Sequence, residues 1–140
     1  MKLTDQDKEL IAAATTAIKS RYRNDWQEVG AAVRTRDGRV VVGVNLDAYV
    51  GRGAVCAEAV AIGTALTEKG DLGIDTIVAV RHPKPGEAGD IAVVSPCGAC
   101  RELIHDYDAK ARVIVPNGSQ GPEVTTIGEL LPNKYRRGLS

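Results

Sequence analysis

The fold of this chain is decided by the stretch IAVVSPCGACRELI, residues 91–104. Its apolar start favours a short extended segment up to Val94, and Pro96 then leads into a helix, where proline is well tolerated at the first turn. Cys97 and Cys100 are three residues apart, so on that helix they face the same side. A helix N-terminus lowers the pKa of a thiol, and the thiolate is the form that binds metal. The stretch therefore predicts a strand, a turn and a helix that presents two metal-binding thiolates.

A second motif, Cys56-Ala57-Glu58, lies at the predicted start of an earlier helix and contains the remaining cysteine of the chain. Three thiolates can hold one zinc ion and leave its fourth position open, as in a catalytic zinc site that keeps a water. Glu58 lies two residues from the first thiol, where its carboxylate could reach that water. Arg101 follows Cys100 directly and could offset the excess negative charge of three thiolates. The two motifs predict a catalytic zinc site with Glu58 as proton shuttle.

Two other interpretations of the cysteines stay open at this stage. Cys97 and Cys100 also have the spacing of a redox dithiol, although such a site does not need the second motif. A closed structural zinc in an interaction module would need a fourth protein ligand, for which the chain offers only His82 and His105. An enzyme would need the carboxylate of Glu58 for turnover, whereas a structural module would not.

Helical and extended segments alternate along the chain, which is typical of an α/β fold with a mixed sheet and helices on both faces. The predicted helices share a capping or helix-opening residue at their start: Thr4, Cys56, Cys97 and Thr126. The predicted strands are short and rich in β-branched residues: 29–35, 40–45, 74–80, 91–94, 112–115 and 124–126. The valine-rich strand at 40–45 is expected to be buried on both faces.

Length and charge restrict the class of protein. With 140 residues, the chain is expected to form one domain over residues 1–140, large enough to bury a core without disulfides. It has 18 Lys and Arg against 18 Asp and Glu, and this balance argues against a nucleic-acid partner. The first ten residues are unlike a signal peptide, and no stretch approaches the ~18 apolar residues of a membrane span. We therefore expect a cytoplasmic protein with reduced thiols and no membrane partner.

Several segments besides the cysteine motifs resemble the small zinc-dependent cytidine deaminases, over nearly the whole chain. They follow one another in the family's order: VGAA at 29–32, DGR at 37–39, GVN at 43–45, CAE at 56–58, SPCGACR at 95–101 and ELLP at 129–132. The resemblance implies a three-layer α/β/α sandwich around a mixed five-stranded sheet. It also implies a zinc cofactor, hydrolytic deamination of a nucleoside-like substrate, and a homotetramer whose active sites are completed by neighbouring subunits.

The resemblance also implies roles for individual residues. Cys56, Cys97 and Cys100 would bind zinc, and Glu58 would move the proton. The residues implied to contact substrate are Asn45 and Asp47 at a sugar, Ala57 through its backbone N–H at the base carbonyl, and Tyr135 in the pocket of a neighbouring subunit. Taken alone, Asn45 and Asp47 are also compatible with a polar strand end, and Tyr135 with interface packing.

Two departures from the family pattern bear on the substrate. Ala59 follows the Cys-Ala-Glu motif where the nucleoside enzymes carry arginine, as in the blasticidin-S deaminase branch, which the chain resembles most. Asp47 stands where the nucleoside enzymes have glutamate, and a buried carboxylate there would be costly without a sugar hydroxyl to bind. Giving more weight to Asp47, we predict deamination of cytidine or deoxycytidine. Blasticidin S or a modified cytosine base is the alternative substrate.

Overall fold

The computed structural model describes residues 1–70 and 72–138, which form four α-helices and six β-strands. The helices are α1 (Asp5–Arg21), α2 (Ala57–Glu68), α3 (Gly98–Tyr107) and α4 (Ile127–Leu130). The strands are β1 (Val29–Thr35), β2 (Val40–Val44), β3 (Ile74–Arg81), β4 (Ala92–Val94), β5 (Arg112–Val115) and β6 (Glu123–Thr126). In this part of the chain, every helix is too short or too polar to cross a membrane.

The strands form one mixed sheet in the order β2-β1-β3-β5-β6, with β4 paired to β3 outside that path. Only β3 and β5 run parallel, and the other pairs described are antiparallel. β3 is long enough to pair with β5 at Thr76 and Ile77 and with β4 at Ala79 and beyond. The described residues therefore give six strands rather than the expected five, because the segment before Pro96 pairs with the free second half of β3.

Helices cover both faces of the sheet, which confirms the expected α/β fold. On one face, α1 buries Leu10, Ala14 and Ile18 against the sheet. On the other face, α2 and α3 bury a second cluster that includes Ile62 and Ile104. Each fully buried Leu or Ile contributes about 1.5–3 kcal/mol, so an aliphatic core can hold these layers together in a chain without phenylalanine.

Two strand glycines let the helices approach the sheet closely. A Cβ at Gly30 would lie 2.6 Å from the Ala14 carbonyl oxygen of α1. A Cβ at Gly43 would lie 2.6 Å from the Ala61 backbone nitrogen and 3.0 Å from the Ala57 carbonyl oxygen of α2. A larger residue at 43 would push α2 away from β2. Gly43 therefore sets the distance between the sheet and the helix that begins with the Cys-Ala-Glu motif.

The prediction that β2 is buried on both faces is wrong. Val41 is 7% exposed, whereas Val40 and Val42 are 45% and 41% exposed. β2 is an edge strand, and α2 covers one of its faces, while α1 packs mainly over the neighbouring strands. The other face of β2 is therefore half open.

A buried ion pair joins α1 to β5. Asp7 is 2% exposed and accepts hydrogen bonds of 2.8 and 2.9 Å from the guanidinium of Arg112. Asp7 also accepts from the Thr4 backbone N–H at 2.9 Å, while the Thr4 hydroxyl caps α1 as predicted. Burial opposes ionisation of Asp7, but the hydrogen bonds from Arg112 and Thr4 outweigh it and hold its pKa below the ordinary value. The ion pair was not predicted, because its partners are far apart in the sequence.

Candidate active site

The three cysteines come together from two helices. Cys56 is the N-cap of α2, Cys97 is the N-cap of α3, and Cys100 lies in the first turn of α3. Their sulfur atoms lie within 4.8 Å of one another, and the Sγ atoms of Cys56 and Cys97 are 3.5 Å apart. Because Zn–S bonds are about 2.3 Å long, these spacings suit three thiolate ligands of one tetrahedral zinc ion.

The charge state of the thiols also fits a metal. Burial, reinforced by the charge of Glu58, raises the pKa of Cys100 far above its ordinary range. Burial likewise raises the pKa of Cys56. At Cys97 burial opposes ionisation, but the backbone N–H of Cys100 and the neighbouring thiols outweigh it, so its pKa is lowered. Three thiolates beside a carboxylate repel one another, so the ionised set is stable only around a cation.

Glu58 lies inside the protein beside the thiols. It is the second residue of α2 and is 5% exposed. Burial raises its pKa, and the hydrogen bonds available from its own backbone N–H and from Cys100 oppose this only in part. A raised pKa favours the protonated carboxyl group, which is the direction expected of a group that both accepts and donates a proton. Glu58 is therefore a buried carboxyl group beside the thiols, and its role as a proton shuttle stays a prediction.

A cavity of about 350 Å³ opens onto these groups. Among its lining residues are six that the sequence had singled out: Asn45, Asp47, Cys56, Ala57, Glu58 and Cys97. Ala57 is the first residue of α2, and the backbone N–H of a first helical residue has no partner within the helix. Its contact with a substrate carbonyl stays a prediction. The volume lies within the range of small-molecule sites.

Sequence analysis missed the remaining walls of the cavity. They are mostly apolar and lie at strand ends or in the loop between β2 and α2: Val29, Leu46, Ala54, Val55, Val94 and Ser95. The available signal was their position next to the two cysteine motifs and to Asn45. Apolar walls around a few polar groups suit a flat ring with polar edges.

The carboxamide of Asn45 is largely engaged by the protein itself. Its Oδ1 accepts from the backbone N–H groups of Glu28 and Val29 at 2.8 and 3.0 Å, and its Nδ2 donates to the Trp26 carbonyl at 2.8 Å. An amide oxygen has two lone pairs and an amide nitrogen has two hydrogens, so these contacts leave one N–H for a substrate. Asn45 holds residues 26–29 against the end of β2, and its sugar contact stays a prediction.

Asp47 and Tyr135 are both exposed. Asp47 accepts a hydrogen bond from the Ala48 backbone N–H at 2.8 Å, and its side chain faces solvent at the rim of the cavity. The expectation of a buried carboxylate is therefore wrong, and the cost of burial gives no reason for a sugar hydroxyl at this position. Tyr135 follows α4 and is 77% exposed. Its contact with a neighbouring subunit stays a prediction.

Arg101 makes contacts that the sequence did not suggest. Its Nε donates to the Pro96 carbonyl at 2.9 Å, and its Nη1 donates to the Leu130 carbonyl at 3.2 Å. These bonds join the turn before Cys97 to the end of α4. The guanidinium is therefore occupied with backbone carbonyls, and its predicted role in offsetting thiolate charge stays a prediction.

The two histidines, His82 and His105, lie outside the cysteine cluster. In residues 1–70 and 72–138, the cluster of possible metal ligands consists of the three cysteines alone. His82 stacks on Tyr22 with ring centroids 3.7 Å apart, and its Nδ1 lies 2.7 Å from the Pro83 carbonyl oxygen. His105 lines a separate surface cavity beside the end of α4. A three-ligand site facing a cavity favours a catalytic zinc over a closed structural one.

Comparison with known proteins gives the same picture. The sequence pattern of the cytidine and deoxycytidylate deaminase zinc-binding region matches residues 4–116. A blasticidin-S deaminase from Bacillus cereus is 47% identical over 136 residues, which cover 96% of both chains. A cytidine deaminase from Sporosarcina psychrophila is 30% identical over 78% of this chain and 75% of its own. The crystal structure of cytidine deaminase from Mycobacterium leprae superposes with a TM-score of 0.72 at 29% identity, covering 93% of this chain and 99% of that one.

Proposed function

The chain belongs to the cytidine and deoxycytidylate deaminase family and is a zinc-dependent hydrolytic deaminase, and we propose that it converts cytidine or deoxycytidine to the uracil nucleoside. One observation carries the proposal. Glu58 is buried beside three converging thiols, in the wall of a cavity of about 350 Å³. This arrangement supports a role for Glu58 in proton transfer between a water molecule and a cytosine ring.

In the proposed reaction, the residues of the chain bind the zinc ion that activates water, and they transfer the protons. Cys56, Cys97 and Cys100 hold the zinc, which when bound supplies the Lewis acidity that activates water at neutral pH. Glu58 would accept a proton from the attacking water and pass it to the ring nitrogen. It would then take the second proton from the hydroxyl group of the tetrahedral adduct and give it to the leaving amine. A C–O bond forms and the exocyclic C–N bond breaks at the same carbon. Cytosine and water thus give uracil and ammonia.

The remaining groups would orient the substrate. The Ala57 backbone N–H donates to the ring carbonyl. Elsewhere in the cavity wall, the remaining N–H of Asn45 would donate to a sugar hydroxyl, and the carboxylate of Asp47 would accept from one. Because Asp47 is exposed, its contribution is to orientation and not to the neutralisation of a buried charge.

Blasticidin S is a second candidate substrate, and a specific observation favours it. The identity to the Bacillus cereus blasticidin-S deaminase is 47% over 96% of both chains, whereas the Sporosarcina psychrophila cytidine deaminase is 30% identical. Ala59 points in the same direction, as the sequence indicated. Only the group beyond the cytosine ring differs between the two candidates, so the roles of the cysteines and of Glu58 are unchanged.

An absorbance assay of the purified protein tests the substrate. Cytidine, deoxycytidine, blasticidin S and free cytosine are each incubated with the zinc-loaded protein, and loss of cytosine absorbance is followed. We expect turnover of the nucleosides, and we expect Asp47→Ala to weaken it far more than any turnover of free cytosine. Turnover of blasticidin S with neither nucleoside converted would overturn the nucleoside assignment and leave the deaminase mechanism intact.

The conservative variant Glu58→Gln tests the mechanism. It keeps the shape of the side chain but cannot accept the proton, so we expect turnover to fall by at least about 10²–10⁴-fold. Zinc content and unfolding temperature should stay near those of the unchanged protein. Full activity in Glu58→Gln would contradict the proton-shuttle role.

The oligomeric state and the cellular location of the enzyme are also proposals. Leu46, Tyr49 and Val50 belong to the loop between β2 and α2, which forms part of the cavity wall, and they are 50%, 96% and 72% exposed. Covering them with a second subunit would bury apolar surface, which supports a homotetramer with Tyr135 completing a neighbour's site. Three thiolate ligands need a reducing compartment, which supports a cytoplasmic location.

A further inference from the structure

The chain that follows α4 lies along the helix that carries two of the three zinc ligands. We call residues 131–137 the C-terminal strap. Directly before it, at the end of α4, the Leu130 carbonyl accepts a hydrogen bond of 3.2 Å from Arg101 of α3. Arg101 directly follows Cys100, so the end of α4, from which the strap continues, is bonded to the first turns of α3.

Lys134 of the strap forms ion pairs with α3, and we call these contacts and the Arg101 hydrogen bond the polar ties of α3. Its ammonium lies 3.0 Å from the Glu102 carboxylate and 2.8 Å from that of Asp106, and it donates to the Tyr135 carbonyl at 2.7 Å. Glu102 and Asp106 are four residues apart, so they lie on the same side of α3. The Lys134 side chain is only 4% exposed, which is unusual for a lysine unless it is paired. The ammonium is therefore covered by its contacts, while the two carboxylates are 46% and 59% exposed.

Apolar packing holds α3 less firmly than it holds α2. Two residues of α3 are fully buried, Cys100 and Ile104. In α2 four apolar residues are buried, Ala57, Ala61, Ile62 and Ala65. The position of α3 over the sheet therefore depends more on its polar ties.

From these contacts we infer that Lys134 is a positioning residue for the zinc site. By holding Glu102 and Asp106, it keeps α3 in the place where Cys97 and Cys100 meet Cys56. The inference rests on the zinc-dependent function proposed above. Loss of the tie should loosen α3 and let the zinc escape faster, while the ligands themselves are unchanged.

The test measures zinc release from the loaded full-length protein into a chromogenic chelator, well below the unfolding temperature. We expect Lys134→Met to release zinc about tenfold faster, the usual size of an effect transmitted through groups that support a metal ligand. Lys134→Arg keeps the positive charge, so we expect it to restore most of the retention. The matched control is Lys69→Met, which removes a lysine paired with Asp37 at 2.8 Å, away from α3. It should leave zinc release unchanged.

Two further variants cover the case in which Lys134→Met fails to fold. Glu102→Gln and Asp106→Asn each remove half of the ion pair, and each should accelerate release by a smaller factor. Unchanged release in all three α3-tie variants would overturn the inference while the zinc enzyme stands. Equal acceleration by Lys69→Met would overturn it too, since the effect would then be general destabilisation. A protein that takes up no zinc would overturn the proposed function and this inference with it.

Discussion

Burial decides what each residue of the site contributes. Cys100 is 2% exposed and Glu58 is 5% exposed, whereas Cys97 faces the cavity. Burial disfavours the ionised form of both Cys100 and Glu58, so a bound cation would stabilise their negative charge. A change at Cys100 should therefore affect both the metal and the core, while a conservative change at Glu58 should affect proton transfer alone.

Metal analysis after dialysis should find one zinc per chain, and none in Cys100→Ala. The variant should also be less stable to denaturant, because the free energy of metal binding contributes to that of folding. Ser95→Ala changes the cavity wall without touching a ligand, so it should keep its zinc. A full complement of zinc in Cys100→Ala would show that Cys100 is not a ligand.

The Asp7–Arg112 pair predicts a pH-dependent stability. Asp7→Asn removes the charge but not the shape, and we expect it to lower the free energy of unfolding at pH 7 by about 2 kcal/mol, the range for hydrogen bonds to a charged group. The folded-state pKa of Asp7 lies below the ordinary 3.8. The difference in free energy of unfolding between the unchanged protein and Asp7→Asn should therefore have its full size above about pH 5. It should disappear as the pH falls through that lower pKa.

Denaturant unfolding at several pH values measures this difference. Asp5→Asn is the matched control, since Asp5 is exposed in the same turn of α1. It should change stability little at any pH. A gap between Asp7→Asn and the unchanged protein that does not shrink as the pH is lowered would contradict the ion-pair explanation.

At the scale of secondary-structure elements, the zinc site depends on how closely two helices approach the sheet. Cys56 and Cys97 cap different helices, so a small displacement of either helix separates the sulfur atoms. Gly43 sets the position of α2, and polar ties with the C-terminal strap set that of α3. The precision of the site therefore comes from groups that bind neither metal nor substrate.

Gly43→Ala should displace α2, because its Cβ would lie 2.6 Å from the Ala61 backbone nitrogen. We expect a loss of about 1–3 kcal/mol in the free energy of unfolding, typical of overpacking, together with weaker zinc binding. Gly63→Ala is the control: it lies on α2 with nothing within 4 Å of the added methyl. It should be neutral or stabilising by up to about 1 kcal/mol, since alanine favours a helix. Equal stability of the two variants would contradict the role of Gly43.

At the scale of the whole molecule, the cavity is open beside a loop with exposed apolar side chains. We expect analytical ultracentrifugation to show a tetramer at working concentration. Tyr135→Ala should then raise KM for the substrate while the tetramer persists, because the variant removes one exposed ring and no described tie of the strap. A fully active monomer would contradict both the assembly and the role of Tyr135.

The sequence alone determined the elements and the chemistry that depend on neighbouring residues. Thr4 and Thr126 cap helices as predicted, and β1 begins and ends as its pattern indicated. The spacing of Cys97 and Cys100 put two thiols on one side of a helix. These signals are local, since a cap or a helical spacing acts within a few residues.

Only the tertiary structure decided which groups meet across the chain and which face solvent. It placed Asp47 at the surface, engaged most of the Asn45 carboxamide, and directed Arg101 to backbone carbonyls. It also paired Lys134 with α3 and left β2 half exposed at the sheet edge. Each of these outcomes depends on residues that are distant in sequence. Composition, periodicity and motif spacing do not report such contacts, because burial and pairing arise only when the layers pack together.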